Sequence, residues 1–253
     1  MGGVKVTVVI PTYNEAQNLP GLVSALFELP IPELHLLVVD DNSSDGTGQL
    51  ADALSEKSGG RLSVLHRPGK LGLGSAYLQG FRLALANGAQ AVGQMDADFS
   101  HPPELLVDLL DRLAGCHMAM GSRYIPGGSV DRHWPLWRKG LSSFGNAYSR
   151  FALSIPVWDA TGGYRLWRRA ALECMPLDKV RSNGYAFQVE MIYLANRLGF
   201  TIREVPFYFA DRVQGGSKMS FSIQVEAALR VWQMRVAYRR LKPVNLPVDL
   251  ESW

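Results

Sequence analysis

The sequence predicts an α/β protein with a Rossmann-like, mostly parallel sheet flanked by helices, and three observations predict it. Short, near-continuous apolar runs recur through the first half of the chain. Stretches with helical spacing of apolar residues separate them. Clusters of polar turn-formers follow the runs, where the carboxyl ends of parallel strands would lie.

The elements read in order. Residues 7–10, 34–39, 62–65, 91–95 and 117–120 are the strand-like runs, and 18–29, 47–56, 75–87 and 103–114 are the helical stretches between them. Asn42-Ser43-Ser44-Asp45-Gly46 follows the second strand, and the segment from Gly69 to Gly74 follows the third, the turn chemistry such positions require. From Ile125 the rhythm changes, with a loop rich in Arg and Trp opened by Pro126-Gly127-Gly128. A helical stretch over 141–153, a Gly162-Gly163 turn, a strand over 202–209 and a long helix over 220–240 complete the chain. No internal repeat or low-complexity linker interrupts it, so a single domain over 1–253 is expected.

Composition bounds the function. The chain has 253 residues, 47% hydrophobic, with a formal charge of +3, enough apolar content for a sizeable core and too little charge to argue for nucleic acid. Residues 1–100 carry 10 acidic and 6 basic side chains, whereas 101–253 carry 13 acidic and 20 basic. Cys116 and Cys174 are far apart, which excludes a disulfide framework and a Cys-based zinc site, suits a reducing cytoplasm, and reads as two small buried side chains. No signal peptide is read at the N-terminus, and no apolar run reaches the ~18–20 residues of a membrane span. A cytoplasmic chain, peripheral at the cytoplasmic face of a membrane at most, is the expectation.

Ligands of such sheets bind beyond the carboxyl ends of the strands. The fourth strand runs into Met95-Asp96-Ala97-Asp98. Two carboxylates two residues apart on a strand end point the same way, and a hard divalent cation between them and phosphate oxygens relieves their repulsion. A solvated Asp pair at a loop edge is the ordinary alternative. The first strand ends in Pro11-Thr12-Tyr13-Asn14-Glu15 and the second in Val39-Asp40-Asp41. Carboxylates beside an aromatic ring suit ribose hydroxyls, base nitrogens and a packed base. Asp45 and Thr47 are read as caps of the following helix.

These motifs, with Lys70-Leu71-Gly72-Leu73-Gly74, His101-Pro102-Pro103 and Gly121-Ser122-Arg123-Tyr124, occur in an order that resembles family 2 glycosyltransferases of the GT-A fold, specifically the polyprenol- or dolichol-phosphate mannose synthases. The likeness continues through Arg138 with Ser142, the segment from Asp159 to Arg165, the segment from Gly184 to Glu190, and the segment from Arg212 to Lys218, and covers residues 4–225.

The resemblance implies a nucleotide-sugar and metal half over 1–124 and an acceptor half over 125–253 that ends in an amphipathic helix. Pro11, Tyr13, Glu15, Val39 and Asp41 would hold the nucleoside. Asp96 and Asp98 would hold Mg²⁺ or Mn²⁺ on the diphosphate, with Ala97 packed against the nucleotide. Arg123, Arg138, Arg212 and Lys218 would line the phosphate-rich cleft, and Ser142 would join Arg123 and Arg138 at the acceptor phosphate. Ser100 stands where relatives often carry Gln, and Gly162 where Ser is common. The implied activity is inverting, metal-dependent transfer of mannose from GDP-mannose to polyprenyl phosphate. The alternatives are another donor such as UDP-glucose, a soluble hydroxyl acceptor, or an inactive nucleotide-sugar-binding subunit.

Acceptor chemistry points the same way. An alcohol needs a base to remove its proton, whereas a phosphate monoester is already anionic and needs positioning and neutralisation. Related enzymes with hydroxyl acceptors carry a Glu-Asp pair where this chain reads Phe187-Gln188-Val189-Glu190. A lipid acceptor also needs a membrane surface or a membrane-anchoring partner. The basic, apolar helix over 220–240, which reads equally as an ordinary core-packed helix with a solvated basic end, and Trp134, Trp137 and Trp158 among arginines are the two candidate surfaces.

Overall fold

The computed structural model describes residues 3–210 and 221–248. Strands β1 (Val6–Thr12), β2 (Leu34–Asp40), β3 (Leu62–His66), β4 (Ala91–Gln94), β5 (Met118–Ser122), β7 (Arg165–Arg168) and β8 (Ile202–Pro206) form one sheet in the order β3-β2-β1-β4-β7-β5-β8. β7 alone runs antiparallel to its neighbours. Helices α1 (Leu19–Phe27), α2 (Thr47–Lys57), α3 (Leu73–Ala86) and α4 (Leu105–Leu113) make the crossovers expected of βαβ units.

The sheet has a core on each side because its strands alternate. Val6, Val8 and Ile10 of β1 join one cluster with α1 and α4, while Val9 joins the other with α3. This explains why the sequence shows near-continuous apolar runs there rather than an apolar/polar alternation. The second core takes in α5 (Leu136–Leu153), α6 (Arg169–Cys174), α7 (Gly184–Arg197) and α8 (Phe221–Ala237). Close approach sets the layer spacing at Gly80, where an added Cβ would stand 2.3 Å from Val9 Cγ1. α3 therefore lies hard against β1.

Three features depart from the sequence reading. The strand expected over 202–209 divides, because β9 (Tyr208–Phe209) leaves the large sheet to pair in parallel with β6 (Ser129–Val130). β7 was not foreseen, since Arg165-Leu166-Trp167-Arg168 carries a charge at each end. Yet all four residues are buried, and Arg168 spends its donors on the carbonyls of Leu113, Ala114 and Cys116 at the end of α4. α7 is buried without a break from Phe187 to Ala195, so it has no amphipathic period to detect. The Cys reading holds for Cys116, which is buried, and is corrected for Cys174, which is exposed at the end of α6.

The direction of β7 matters for function. Its first residue, Arg165, lies opposite Gln94 of β4 and Met120 of β5. The turn leading into it, from Asp159 onward, thus arrives at the same rim as the carboxyl ends of β4 and β5. Strand order also reverses between β1 and β4, the switch point beyond which α/β sheets open a crevice.

Candidate active site

The rim beyond β1, β2 and β3 is organised by buried polar contacts. Asp40 accepts hydrogen bonds from Thr12 Oγ1 (3.0 Å), Ser43 Oγ (2.5 Å) and Ser43 N (3.1 Å), which shape the turn after β2. Asp45, one residue before the N-cap Gly46, accepts the first helical N–H, that of Thr47, at 3.0 Å, whereas Thr47 is itself the first residue of α2 and no cap, its hydroxyl donating to Asp45. Glu15 donates its N–H to Thr47 Oγ1 (2.9 Å) and accepts from Asn18 Nδ2 (2.9 Å). Pro11 and Val39 face each other across the β1–β2 ladder, but the Val39 side chain is packed in the core, so at this rim it presents backbone. Tyr13 lies half-buried with Lys70 Nζ 3.8 Å above its ring.

Asp41 has partners the sequence did not announce. Its carboxylate pairs with the buried Arg67 guanidinium and accepts the Gly72 N–H at 3.1 Å. Arg67 also reaches Ser75. The residue could have been suspected from its place just beyond β3, next to the strand that carries Asp41. The Gly69–Gly74 loop is thereby folded over the rim, and it leaves no room for a side chain at Gly74, whose Cβ would sit 2.5 Å from the Ser182 carbonyl. Glu190 holds that neighbouring segment by accepting the N–H groups of Arg181 (3.3 Å) and Ser182 (2.9 Å), and takes the Tyr238 hydroxyl at 2.6 Å.

β4 ends at Gln94, one residue earlier than read, so Asp96, Ala97 and Asp98 lie in the loop beyond it. Ala97 is packed in the core and Asp98 is nearly buried. Asp96 is fixed at two points. Its N–H donates to His101 Nδ1 at 3.0 Å, and its Oδ1 accepts from the Tyr77 hydroxyl at 3.2 Å. Burial lowers the His101 pKa, against the raising pull of Asp96 and Asp98, in keeping with the unprotonated Nδ1. Asp98 Oδ1 accepts from Ser100 N (3.1 Å) and Ser100 Oγ (2.6 Å) across a turn in which Phe99 has a φ of 59°. Ser100 is thus a clamp on the Asp98 carboxylate.

Among the described residues no group of three or more His, Cys, Asp or Glu side chains forms a metal cage. Two carboxylates beside a phosphate site are a donor set that fits Mg²⁺ or Mn²⁺, which take the rest of their shell from substrate phosphates and water.

Just beyond β5, Arg123 is buried and gripped by Asp159. Nε–Oδ2 and Nη2–Oδ1 are both 2.7 Å, and the Arg123 N–H also donates to Oδ2 at 3.0 Å. Burial would raise the Asp159 carboxyl, but the Arg123 charge and hydrogen bonds hold it below the usual carboxylate range. Tyr124 donates to Ser142 Oγ at 2.7 Å. Arg138 stands one turn before Ser142 on α5, with its guanidinium 3.8 Å from the centre of the Trp134 ring. Arg123, Arg138 and Ser142 are thus brought to one region by β5 and α5. Arg212 and Lys218 lie outside the described residues.

The membrane-facing residues are partly corrected. Trp134 is buried, edge-on to Phe209 at 5.6 Å, and is no surface anchor. Trp137 and Trp158 are exposed, as are Leu136, Phe144 and Phe151 of α5. Trp137, Phe144 and Phe151 recur every seven residues, two helical turns, and so form one apolar stripe on the outer face of α5, turned away from Arg138 and Ser142. α8 buries Val231 and Met234, with Tyr238 just beyond its end also buried, while leaving Leu229, Trp232 and Val236 outside. The side chains of Phe221 and Val225 lie outside the described residues.

The family model described as "Glycosyl transferase family 2" matches residues 7–175. The chain is 48% identical over 240 residues to the polyprenol monophosphomannose synthase of Mycolicibacterium smegmatis, covering 94% of this chain and 90% of that one. It is 43% identical over 236 residues to the undecaprenyl-phosphate mannosyltransferase of Micrococcus luteus, covering 93% and 96%. The crystal structure of glucosyl-3-phosphoglycerate synthase from Mycobacterium tuberculosis, in complex with Mn²⁺, UDP and glucosyl-3-phosphoglycerate, superposes with a TM-score of 0.61 at 18% identity, over 96% of this chain and 82% of that one.

Proposed function

Since the chain belongs to glycosyltransferase family 2, we propose that it transfers mannose from GDP-mannose to a polyprenyl phosphate with inversion at the anomeric carbon. Its relatives' names support mannose transfer to a polyprenyl phosphate. The observation that carries the acceptor is α5. One helix turns Ser142 toward Tyr124 and Arg138 toward Trp134 on its inner side and an apolar stripe of Trp137, Phe144 and Phe151 outward, a polar face that suits a phosphate and an apolar face that suits the phase holding its hydrocarbon tail.

Glu190 fits the same reading. Its oxygens accept two backbone N–H groups and the Tyr238 hydroxyl, so it serves the fold rather than deprotonating an alcohol. In the proposed step a phosphate oxygen of the acceptor forms a bond to the anomeric carbon. The bond from that carbon to the diphosphate oxygen breaks, and GDP leaves with the electron pair. Pro11, Tyr13, Glu15, Val39 and Asp41 hold the nucleoside at the ends of β1 and β2. Arg123, Arg138 and Ser142 hold the acceptor phosphate, and Arg212 and Lys218 are assigned to the diphosphate. A divalent cation on Asp96 and Asp98 would neutralise charge developing on the leaving diphosphate.

Purified protein incubated with GDP-mannose, Mg²⁺ and polyprenyl phosphate is expected to yield a mannosylated lipid by mass spectrometry, and no product in EDTA. A product formed equally well in EDTA removes the cation. Preference for UDP-glucose, or for a soluble alcohol, removes the donor or the acceptor.

No helix among the described residues is long and apolar enough to cross a membrane. We place the protein at the cytoplasmic face of a membrane through the stripe of α5 and the exposed Leu229, Trp232 and Val236 of α8, with basic neighbours facing anionic headgroups. Sedimentation with vesicles containing anionic lipid is expected to carry the protein down, and Phe151→Asp with Trp137→Asp to leave most of it in the supernatant. Failure of the wild type to sediment would direct the search to a membrane-anchoring partner protein.

A further inference from the structure

Two buried side chains near the carboxylate pair have no part in the reading above. Tyr77 is fully buried on α3, its ring stacked between Phe81 (5.9 Å) and Phe187 (5.8 Å, interplanar angle 6°). The contact of Gly80 with Val9, one turn on, fixes the helix that carries it. Its hydroxyl reaches Asp96 Oδ1, and burial followed by the Asp96 charge keeps the phenol protonated, far above its usual value.

Arg165 is also fully buried, and among the described residues it forms no salt bridge. Its Nη2 reaches the Ala160 carbonyl at 3.4 Å, while Nε and Nη1 have no hydrogen-bond partner. It lies at the rim between β4 and β5, within electrostatic reach of Tyr77 and of Asp159. Burial pulls the guanidinium down to about 9 against the raising pull of the Asp159 charge, and it stays charged at neutral pH. An uncompensated buried charge is costly, and an apolar residue of like volume often serves stability better.

A guanidinium only donates and a carboxylate only accepts. Arg165 shares its face of β7 with Trp167, whose side chain packs in the same core as Tyr77, and a cation on that side favours the orientation observed for the Tyr77 hydroxyl, its proton toward the Asp96 carboxylate. We propose that Tyr77 and Arg165 are positioning residues that together aim the Asp96 carboxylate at the divalent cation. Arg165 orients the hydroxyl, and Tyr77 holds the carboxylate. The inference rests on the assignment of Asp96 and Asp98 to the cation.

The test is Mn²⁺ binding, read from the free-ion electron paramagnetic resonance signal in the presence of GDP, together with thermal melting of each protein. Tyr77→Phe should melt within a few degrees of the wild type yet bind Mn²⁺ roughly tenfold more weakly, the usual cost of losing a group that orients a ligand. Arg165→Met should melt no lower than the wild type and also bind Mn²⁺ more weakly. The double variant should be no weaker than the worse single one, because both act through one carboxylate.

Unchanged Mn²⁺ affinity in Tyr77→Phe, or additive losses, overturns the proposal. Tighter binding in Arg165→Met, the sign expected of simply deleting a nearby cation, overturns it as well. If the wild type itself binds no Mn²⁺ with GDP present, the cation assignment falls and takes this inference with it. If the wild type binds and the variants bind equally, only the positioning role falls.

Discussion

Asp98→Asn should lose transfer activity by about a hundredfold or more while its melting temperature stays within a few degrees of the wild type. The argument separates two duties of one side chain. The Asp98 carboxylate accepts from Ser100 N and Ser100 Oγ across the turn at Phe99, and an Asn carbonyl can accept the same bonds. The turn, with Phe99 at a φ of 59°, therefore survives. The negative charge does not, and with it goes half of the carboxylate pair proposed to hold a cation. Cation neutralisation of a leaving diphosphate supplies several kcal/mol, and each ~1.4 kcal/mol is tenfold in rate. Asp96→Asn should fall comparably, and the double variant little further, since either removal empties the same site. Initial rates of mannosyl-lipid formation, beside melting curves, check this. An Asp98→Asn protein that keeps more than about a tenth of wild-type turnover would mean that the pair does not hold the leaving group.

The parallel part of the fold was legible because both faces of its strands are buried. The runs at 7–10, 34–39 and 62–65 each lie within the observed β1, β2 and β3, and the turn residues between them do what their chemistry predicts. What escaped notice is where burial and polarity coincide. β7 begins and ends with arginine, and only the folded chain shows that Arg168 spends its donors on the carbonyls at the end of α4. α7 is inside on every face from residue 187 to 195, so its pattern carries no period. The site divides in the same way. Carboxylates at strand ends could be picked out by position, as could the arginines inside the quoted motifs. Their partners could not. Nothing in the sequence pairs Asp41 with Arg67 across 26 residues or Arg123 with Asp159 across 36. Tyr77 reads as an ordinary core aromatic on a helix. Long-range pairing is a property of the folded chain, and here it decides which charges are available to a ligand.

That distinction yields the second large effect, at Asp159. Replacing it by Asn should destabilise the fold by about 3–5 kcal/mol, the cost of breaking a buried ion pair by removing one partner. The melting temperature should drop by roughly 6–20 °C, at about 2–4 °C per kcal/mol for a chain of this size. Asp159 is fully buried and contributes both oxygens to the Arg123 fork. An Asn there turns one acceptor into an N–H₂ facing another donor and leaves the guanidinium charge uncompensated.

The same pair sets a pH dependence with a definite sign. The Asp159 carboxyl is held below its ordinary value in the folded protein, because the Arg123 charge and hydrogen bonds outweigh the raising effect of burial. In acid the unfolded chain binds this proton more readily than the folded one, so stability rises with pH there. The contribution is complete above the ordinary carboxylate range and is lost as pH falls through the depressed folded value. Asn cannot titrate. The gap in melting temperature between wild type and Asp159→Asn should therefore be widest near neutrality and narrow on acidification below the ordinary carboxylate range. A gap that stays constant through that acid range would mean that the pair contributes shape rather than charge. Adding Arg123→Met to Asp159→Asn should recover part of the lost stability, because it removes the orphaned cation. It should not recover transfer, since Arg123 is one of the groups proposed to receive the acceptor phosphate, and melting curves beside mannosyl-lipid assays separate the two roles.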